Sequence, residues 1–174
     1  MLSRVAAPHL VSLGGYQGPL KRALRALKFG GSREVARALA GVLAPAVPRE
    51  WRLDAVCAVP LHVTRERGRG YNQSGLLARA VAAELKLPCE ALLERTRATR
   101  QQALLGAGER RGNVQGAFRA RLPVPARVLL VDDILTTSRT LGACADALRA
   151  AGAGQVYYLV AARGAGVGVT RRAN

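Results

Sequence analysis

From Gly18 onward, apolar residues recur three and four positions apart at Leu20, Ala23, Leu24 and Leu27, with Lys21, Arg22, Arg25 and Lys28 between them. That spacing lines the leucines along one side of a helix and leaves a strongly basic face on the other. Gly30 and Gly31 break the pattern, and Ser32 suits the cap of a second helix running through Val35, Leu39 and Leu43 until Pro45. Residues 45–51 read as a linker. Ala55 to Val59 is a short apolar strand that Pro60 ends. Leu76, Leu77, Ala80, Val81 and Leu85 form one face of a helix starting near Ser74 and stopping before Pro88. Val128 to Val131 is a wholly apolar strand, followed by a helix with Leu141, Cys144, Ala145 and Leu148 on one side. Gly152 stops that helix, and Val156 to Ala161 makes the next strand.

Strands alternating with helices of this length predict an α/β fold with a parallel sheet covered on both faces. The organisation expected is an amino-terminal helical cap or hood over residues 1–50, a core over 51–165 and a flexible basic tail over 166–174. In parallel sheets ligands bind beyond the carboxyl ends of strands. The chemistry is therefore sought after Val59 and after Val131.

The charge sharpens this picture. The 174 residues carry 27 Lys plus Arg against 11 Asp plus Glu, a formal net charge of +16, and only Lys21, Lys28 and Lys86 are lysines. An Arg- and Ala-rich coding bias is one explanation. The other is a polyanionic partner: nucleic acid, a phosphorylated metabolite or an anionic membrane surface. Cys57, Cys89 and Cys144 are too few and too scattered for a disulfide framework or a zinc site. No apolar run approaches the ~18 residues of a membrane span, and MLSRVAAPHLVSLGG lacks the continuous apolar segment of a signal peptide. A cytoplasmic protein is expected.

Two segments carry candidate chemistry. Arg95 to Ala117 holds Arg95, Arg97, Arg100, Arg110 and Arg111 against the single acid Glu109, and reads as a mobile basic loop. After the Val128–Val131 strand come Asp132 and Asp133, then Thr136, Thr137, Ser138, Arg139 and Thr140 at a helix start. Backbone amides, the positive end of the helix dipole and hydroxyl donors converge there into a phosphate cradle. The acids would repel a phosphate, but they can accept hydrogen bonds from hydroxyls or hold a divalent cation. A ribose 5-phosphate satisfies both halves. Each feature alone also has a plain structural reading, as a turn former or a helix cap.

VDDILTTSRTL resembles the 5-phosphoribosyl-1-pyrophosphate signature of type I phosphoribosyltransferases. VPLH at Val59 to His62, RGRGYNQ at Arg67 to Gln73, the spacing of Thr99, Gln102 and Leu105, then Glu109, Arg110, Asn113 and Gly116 to Phe118, narrow the match. Together with ALRALKFGG in the first helix, they resemble the ComF family of competence-associated, phosphoribosyltransferase-like proteins from Tyr16 to Arg163. Many family members begin with a cysteine-rich zinc ribbon; this chain lacks those cysteines, so no zinc is expected. Ser138 and Arg139 stand where a glycine and a small residue are usual. Glycine permits a positive φ and close backbone approach, whereas Arg139 offers a guanidinium to the phosphate.

The resemblance implies a type I phosphoribosyltransferase-like fold, a central mostly parallel sheet flanked by helices. It implies that Asp132 and Asp133 hold the ribose hydroxyls as the catalytic pair and that Thr136, Thr137, Ser138, Arg139 and Thr140 cradle the 5-phosphate. Pro60, Leu61 and His62 would lie near pyrophosphate, with Arg97 and Arg100 closing over it from a lid. Magnesium would bridge ligand oxygens, with most of its shell from ligand and water and no dedicated protein ligands. His62 orients or protonates pyrophosphate, or simply fixes its own loop; Asn72 is as good a cap as a ligand. Cys57, Trp51 and Tyr16 are packing residues.

The family association points to handling of single-stranded DNA during natural transformation, with phosphoribosyl pyrophosphate bound in the site and competence proteins as further partners. The alternatives are an active phosphoribosyltransferase with an unidentified acceptor and a regulator gated by phosphoribosyl pyrophosphate without turnover. The cations assigned to nucleic acid are Lys21, Arg22, Arg25 and Lys28 on the first helix, Arg65, Arg67 and Arg69 in the loop, and Arg110 and Arg111 in the lid. Aromatic residues are only 4% of the chain, which predicts weak sequence selectivity.

Overall fold

The computed structural model describes residues 5–7, 9–61, 68–96 and 117–164. A five-stranded sheet has the order β1-β2-β7-β6-β3, built from β1 (Val5–Ala7), β2 (Leu10–Ser12), β3 (Ala55–Ala58), β6 (Arg127–Leu135) and β7 (Gln155–Arg163). All neighbours are parallel except β1, which runs antiparallel to β2 at the edge. A separate antiparallel ribbon joins β4 (Leu93–Arg95) to β5 (Phe118–Ala120). The parallel α/β architecture is the one the alternating pattern predicts. Residues 5–15, which the sequence places in a helical cap, instead contribute two strands to the sheet. Those strands are only three residues long, with Pro8 between them, too short to show a period.

Helices α1 (Gly18–Gly30), α2 (Arg33–Leu43) and α3 (Gln73–Leu85) cover one face, and α4 (Ser138–Ala150) with the ribbon covers the other. Leu20, Leu24 and Leu27 of α1 are buried, as their spacing requires. Gly31 ends α1 in the left-handed region at φ 58°, and Ser32 Oγ accepts from Val35 N at 3.2 Å to start α2. Two 3₁₀ turns, Ala44–Ala46 and Arg49–Trp51, fill the expected linker. Trp51 is buried there and stacks on Tyr157 at 4.4 Å between centroids.

Asp54 grips the start of β6. Its carboxylate accepts from Arg127 N at 2.9 Å, Arg127 Nε at 3.1 Å and an Arg127 terminal nitrogen at 2.7 Å. The Arg127 hydrogen bonds hold the Asp54 carboxyl below the usual carboxylate range. Register then runs from Ala55 opposite Val128 to Ala58 opposite Val131, where β3 ends. Strand β6 continues through Leu135 with only β7 beside it. A crevice therefore opens between the last residues of β6 and the chain leaving β3.

Candidate functional site

Along β6, Leu129 and Val131 pack with the α1–α3 layer, while Val128 and Leu130 pack with the α4 layer. Strict alternation would return Leu135 to the first layer, yet it lies in the second, and Ile134 packs against the first. The faces thus exchange within the acid pair. There the two side chains bond their own backbone: Asp132 Oδ1 accepts from Asp133 N at 2.9 Å, and Asp133 Oδ1 from Ile134 N at 2.9 Å. Carboxylates that take up neighbouring N–H groups let a strand depart from the regular ladder.

Asp133 is only 8% exposed and Asp132 is half-buried. Ser74 Oγ, in the first turn of α3, donates to Asp132 Oδ1 at 2.7 Å. Burial, and after it the adjacent Asp133 carboxylate, push Asp132 up to about 8 from 3.8, and the Ser74 hydrogen bond pulls it partway back. Two carboxyls on adjacent residues that raise one another in this way resist ionising together. The arrangement is ready to accept hydrogen bonds from a polyhydroxylated ligand, or to gain charge once a cation arrives.

Beyond the acids, Thr137 occupies the N-cap position of α4, and its side chain caps none of the first-turn amides. Thr136 and Ser138 are exposed, while Thr137, Arg139 and Thr140 are half-buried. Ser138 begins α4 with ordinary helical backbone; the non-glycine residues with positive φ, among those described, are Arg52 and Lys86. The side chain replacing the usual glycine is therefore accommodated without backbone strain. Arg163, paired in register with Leu135, ends β7 beside this loop, and its Nε is buried with no hydrogen-bond partner among the described residues.

The loop after β3 is held from two sides. Val59 N donates to Val131 O at 2.9 Å, and Asn72 Nδ2 donates to Val59 O at 3.0 Å. Asn72 Oδ1 accepts from Ser74 N at 3.0 Å, so Asn72 is a cap that also positions the loop carrying Pro60 and Leu61. A cleft of about 650 Å³ opens beside that loop, lined among others by Pro60, Leu61, Asn72, Arg79, Arg95 and Arg119. Glu94 ties its far wall, accepting from Arg119 Nε at 2.6 Å and an Arg121 terminal nitrogen at 3.2 Å.

Of the residues singled out from the sequence, Asp132, Asp133 and Thr136 to Thr140 gather at the end of β6, with Pro60 and Leu61 on the neighbouring strand's exit. Lys21, Arg22 and Arg25 are exposed on α1 and Lys28 is half-buried. Arg69 donates to Gln73 Oε1 at 2.7 Å at the entry to α3. His62, Arg65, Arg67, Arg97, Arg100, Arg110 and Arg111 lie outside the described residues. The basic loop expected over Arg95 to Ala117 also lies mostly outside them; at its base, Thr96 N donates to Ala117 O at 2.9 Å beyond the β4/β5 ribbon. Sequence reasoning reaches Ser74 only as a helix start and assigns Arg163 no role. Ser74 does immediately follow the RGRGYNQ motif, which is the signal that singles it out. Cys57 and Cys144 are core thiols; burial pushes Cys57 up to about 12 and raises Cys144 as well, so neither is a nucleophile near neutrality.

Among the described residues no three His, Cys, Asp or Glu side chains converge on a metal site, and no helix is long and apolar enough to cross a membrane. The paired carboxylates nonetheless fit magnesium of a particular kind, one that draws most of its shell from a bound ligand and water.

No family model matches the chain. Curated relatives do: it is 37% identical over 155 residues to DNA utilization protein YhgH of Escherichia coli O157:H7, covering 84% of this chain and 68% of that protein. It is 32% identical over 165 residues to competence protein F of Haemophilus influenzae, covering 88% of this chain and 72% of that one. Among solved structures, adenine phosphoribosyl transferase from Trypanosoma brucei, complexed with AMP, pyrophosphate and ribose-5-phosphate, superposes with a TM-score of 0.51 at 13% identity. That match covers 93% of this chain and 87% of the other. Glutamine phosphoribosylpyrophosphate amidotransferase from B. subtilis gives 0.52 at 21% identity, covering 79% of this chain but 30% of that one. Identities this low speak for the fold alone, and the fold is that of the phosphoribosyltransferases. The curated relatives go further: by identity and coverage the chain belongs to the ComF family of competence protein F.

Proposed function

We propose that the chain binds phosphoribosyl pyrophosphate with magnesium at the carboxyl end of β6 and uses that site in handling single-stranded DNA. The observation carrying this reading is the juxtaposition at one strand end of the shielded acid pair Asp132–Asp133 and the uncapped first turn of α4. Hydroxyl acceptors and phosphate donors sit there in the order a ribose 5-phosphate needs. Asp132 and Asp133 take the ribose hydroxyls, Thr136 to Thr140 the 5-phosphate, and Pro60, Leu61 and His62 the pyrophosphate, with Arg97 and Arg100 as further cations for it. Magnesium, standing beside Asp132 and Asp133 with most of its shell from ligand and water, would supply neutralisation of the pyrophosphate charge. In this reading Ser74 keeps Asp132 aimed at the ligand and biased towards its ionised form.

The DNA half of the proposal rests on the relatives' names, DNA utilization protein and competence protein F, together with the charge of +16. A single phosphorylated ligand needs only a few of those cations. The rest, including Lys21, Arg22, Arg25 and Lys28, Arg65, Arg67 and Arg69, and Arg110 and Arg111, suit a salt-sensitive backbone-tracking surface.

Thermal unfolding with and without phosphoribosyl pyrophosphate and magnesium tests the site: the wild type gains stability on ligand addition, and the Asp132→Ala/Asp133→Ala double variant does not. An equal gain in both removes the ribose assignment. Binding of a labelled oligonucleotide across a salt series tests the second half, and an absence of binding at low salt removes it.

A further inference from the structure

We propose that Phe29, at the end of α1, is a stacking platform for a base of single-stranded nucleic acid, with Arg25 and Lys28 engaging the phosphates on either side. The proposal rests on the nucleic-acid reading above and deepens it, because it assigns the basic helix a base-contacting residue.

A lone exposed apolar side chain is common on protein surfaces. Three observations set this one apart. Phe29 is 67% exposed, and among the Phe, Tyr and Trp rings, all of them described, it alone is exposed: Trp51 and Phe118 are buried and the four tyrosines are half-buried. Two cations lie over the ring, the Arg25 guanidinium carbon and Lys28 Nζ each 5.6 Å from its centroid. Helix α1 carries no acid, and Lys21, Arg22, Arg25 and Lys28 form no ion pair among the described residues. The surface is thus an exposed ring attended by uncompensated positive charge, which suits a base that takes the ring while the two long cationic side chains turn to its phosphates.

The helix end that carries the ring is anchored. Tyr71 Oη donates to Lys28 O at 2.8 Å, and the tyrosine ring packs against Gly31. An anchored backbone loses less freedom on binding than a mobile one. The same tyrosine ties the helix end to the segment that enters the site, since Tyr71 lies three residues before Ser74, whose hydroxyl holds Asp132.

The test compares a labelled oligo(dT) with an abasic deoxyribose-phosphate oligomer of equal length, on the full chain. Phe29→Ala should weaken oligo(dT) binding about tenfold, the lower part of the range for one stacked base, and leave abasic binding unchanged. Phe29→Tyr should restore it. In Phe29→Trp, oligo(dT) should quench the new emission while the abasic oligomer does not, against a constant background from buried Trp51. Arg25→Gln should weaken both ligands and lower the salt slope by about 0.7. If Phe29→Ala binds oligo(dT) as the wild type does, or loses both ligands equally, the stacking assignment falls while the nucleic-acid reading stands. If the wild type binds neither oligomer at low salt, both fall together. A concentration-dependent dimer in the wild type that Phe29→Ala abolishes, without change in oligo(dT) affinity, would give the ring to a second copy of the chain and overturn the proposal.

Discussion

Ser74 Oγ reaches Asp132 Oδ1 at 2.7 Å across a sequence separation of 58 residues, joining the first turn of α3 to the carboxyl half of β6. The bond connects two motifs that are far apart in the chain. One surrounds Tyr71 and Asn72 and fixes the loop after β3; the other carries the acid pair. Their meeting gives the crevice beyond the sheet a defined shape, and it gives Asp132 an acceptor role that favours its charged form.

Replacing Ser74 by alanine should therefore act on protonation more than on folding. Without the hydroxyl, Asp132 rises further above its ordinary range, because burial and Asp133 then go unopposed by the strongest lowering contact. Stabilisation by phosphoribosyl pyrophosphate and magnesium should need a higher pH in Ser74→Ala than in the wild type. A hydrogen bond to a charged group is worth about 1.5–3 kcal/mol, so ligand affinity at neutral pH should fall by roughly ten- to a hundredfold. Thermal shift against pH reads both effects. Ser74→Thr, which keeps the hydroxyl, should restore the wild-type profile, and a merely structural role would not give that rescue.

The same acid sets a pH dependence in the unliganded protein. Asp132 holds its proton more tightly when folded, with the carboxyl raised from 3.8 to about 8. Its contribution is fully present below the unfolded value and is lost as pH rises through the folded one. Unliganded stability should accordingly decline between about pH 4 and pH 8, apart from other groups. Asp132→Asn, which cannot ionise, should be more stable than the wild type at pH 8 and should flatten this part of the curve. Urea denaturation at several pH values measures it; an asparagine variant equally pH-dependent and no more stable would place the origin elsewhere.

The apolar pattern locates β3, β7, the first half of β6 and the four described helices, because each buries an unbroken apolar run or a regular face. It could not show β1, β2 or the β4/β5 ribbon, whose three-residue strands draw their stability from neighbours distant in sequence. Asp132, Asp133 and the hydroxyl run were legible because the site is continuous there. Ser74 reads only as a helix start beside its motif and Arg163 carries no signal, since the contacts of each come from packing of segments distant in sequence. The exchange of faces at Asp132–Ile134 was hidden for a related reason: a strand pattern predicts where side chains point, not where backbone N–H groups turn to their own carboxylates.

Gly31 and Tyr71 provide a final test, of how the basic helix is tied to the site. Gly31 has φ 58°, and a Cβ there would lie 2.9 Å from Tyr71 Cε1. Gly31→Ala should destabilise the protein by about 1–3 kcal/mol, combining backbone strain with the clash. Tyr71→Phe keeps the ring and loses only the bond to Lys28 O, at a cost of about 1 kcal/mol. Tyr71→Ala removes both ring and hydroxyl, so it should cost more alone but absorb part of the Gly31→Ala penalty, leaving only the φ term. A double-mutant cycle by urea denaturation should thus show the two changes to be less than additive. Additive costs would mean that the last turn of α1 is free to move away from Tyr71, and that the helix is not clamped to the segment leading to Ser74.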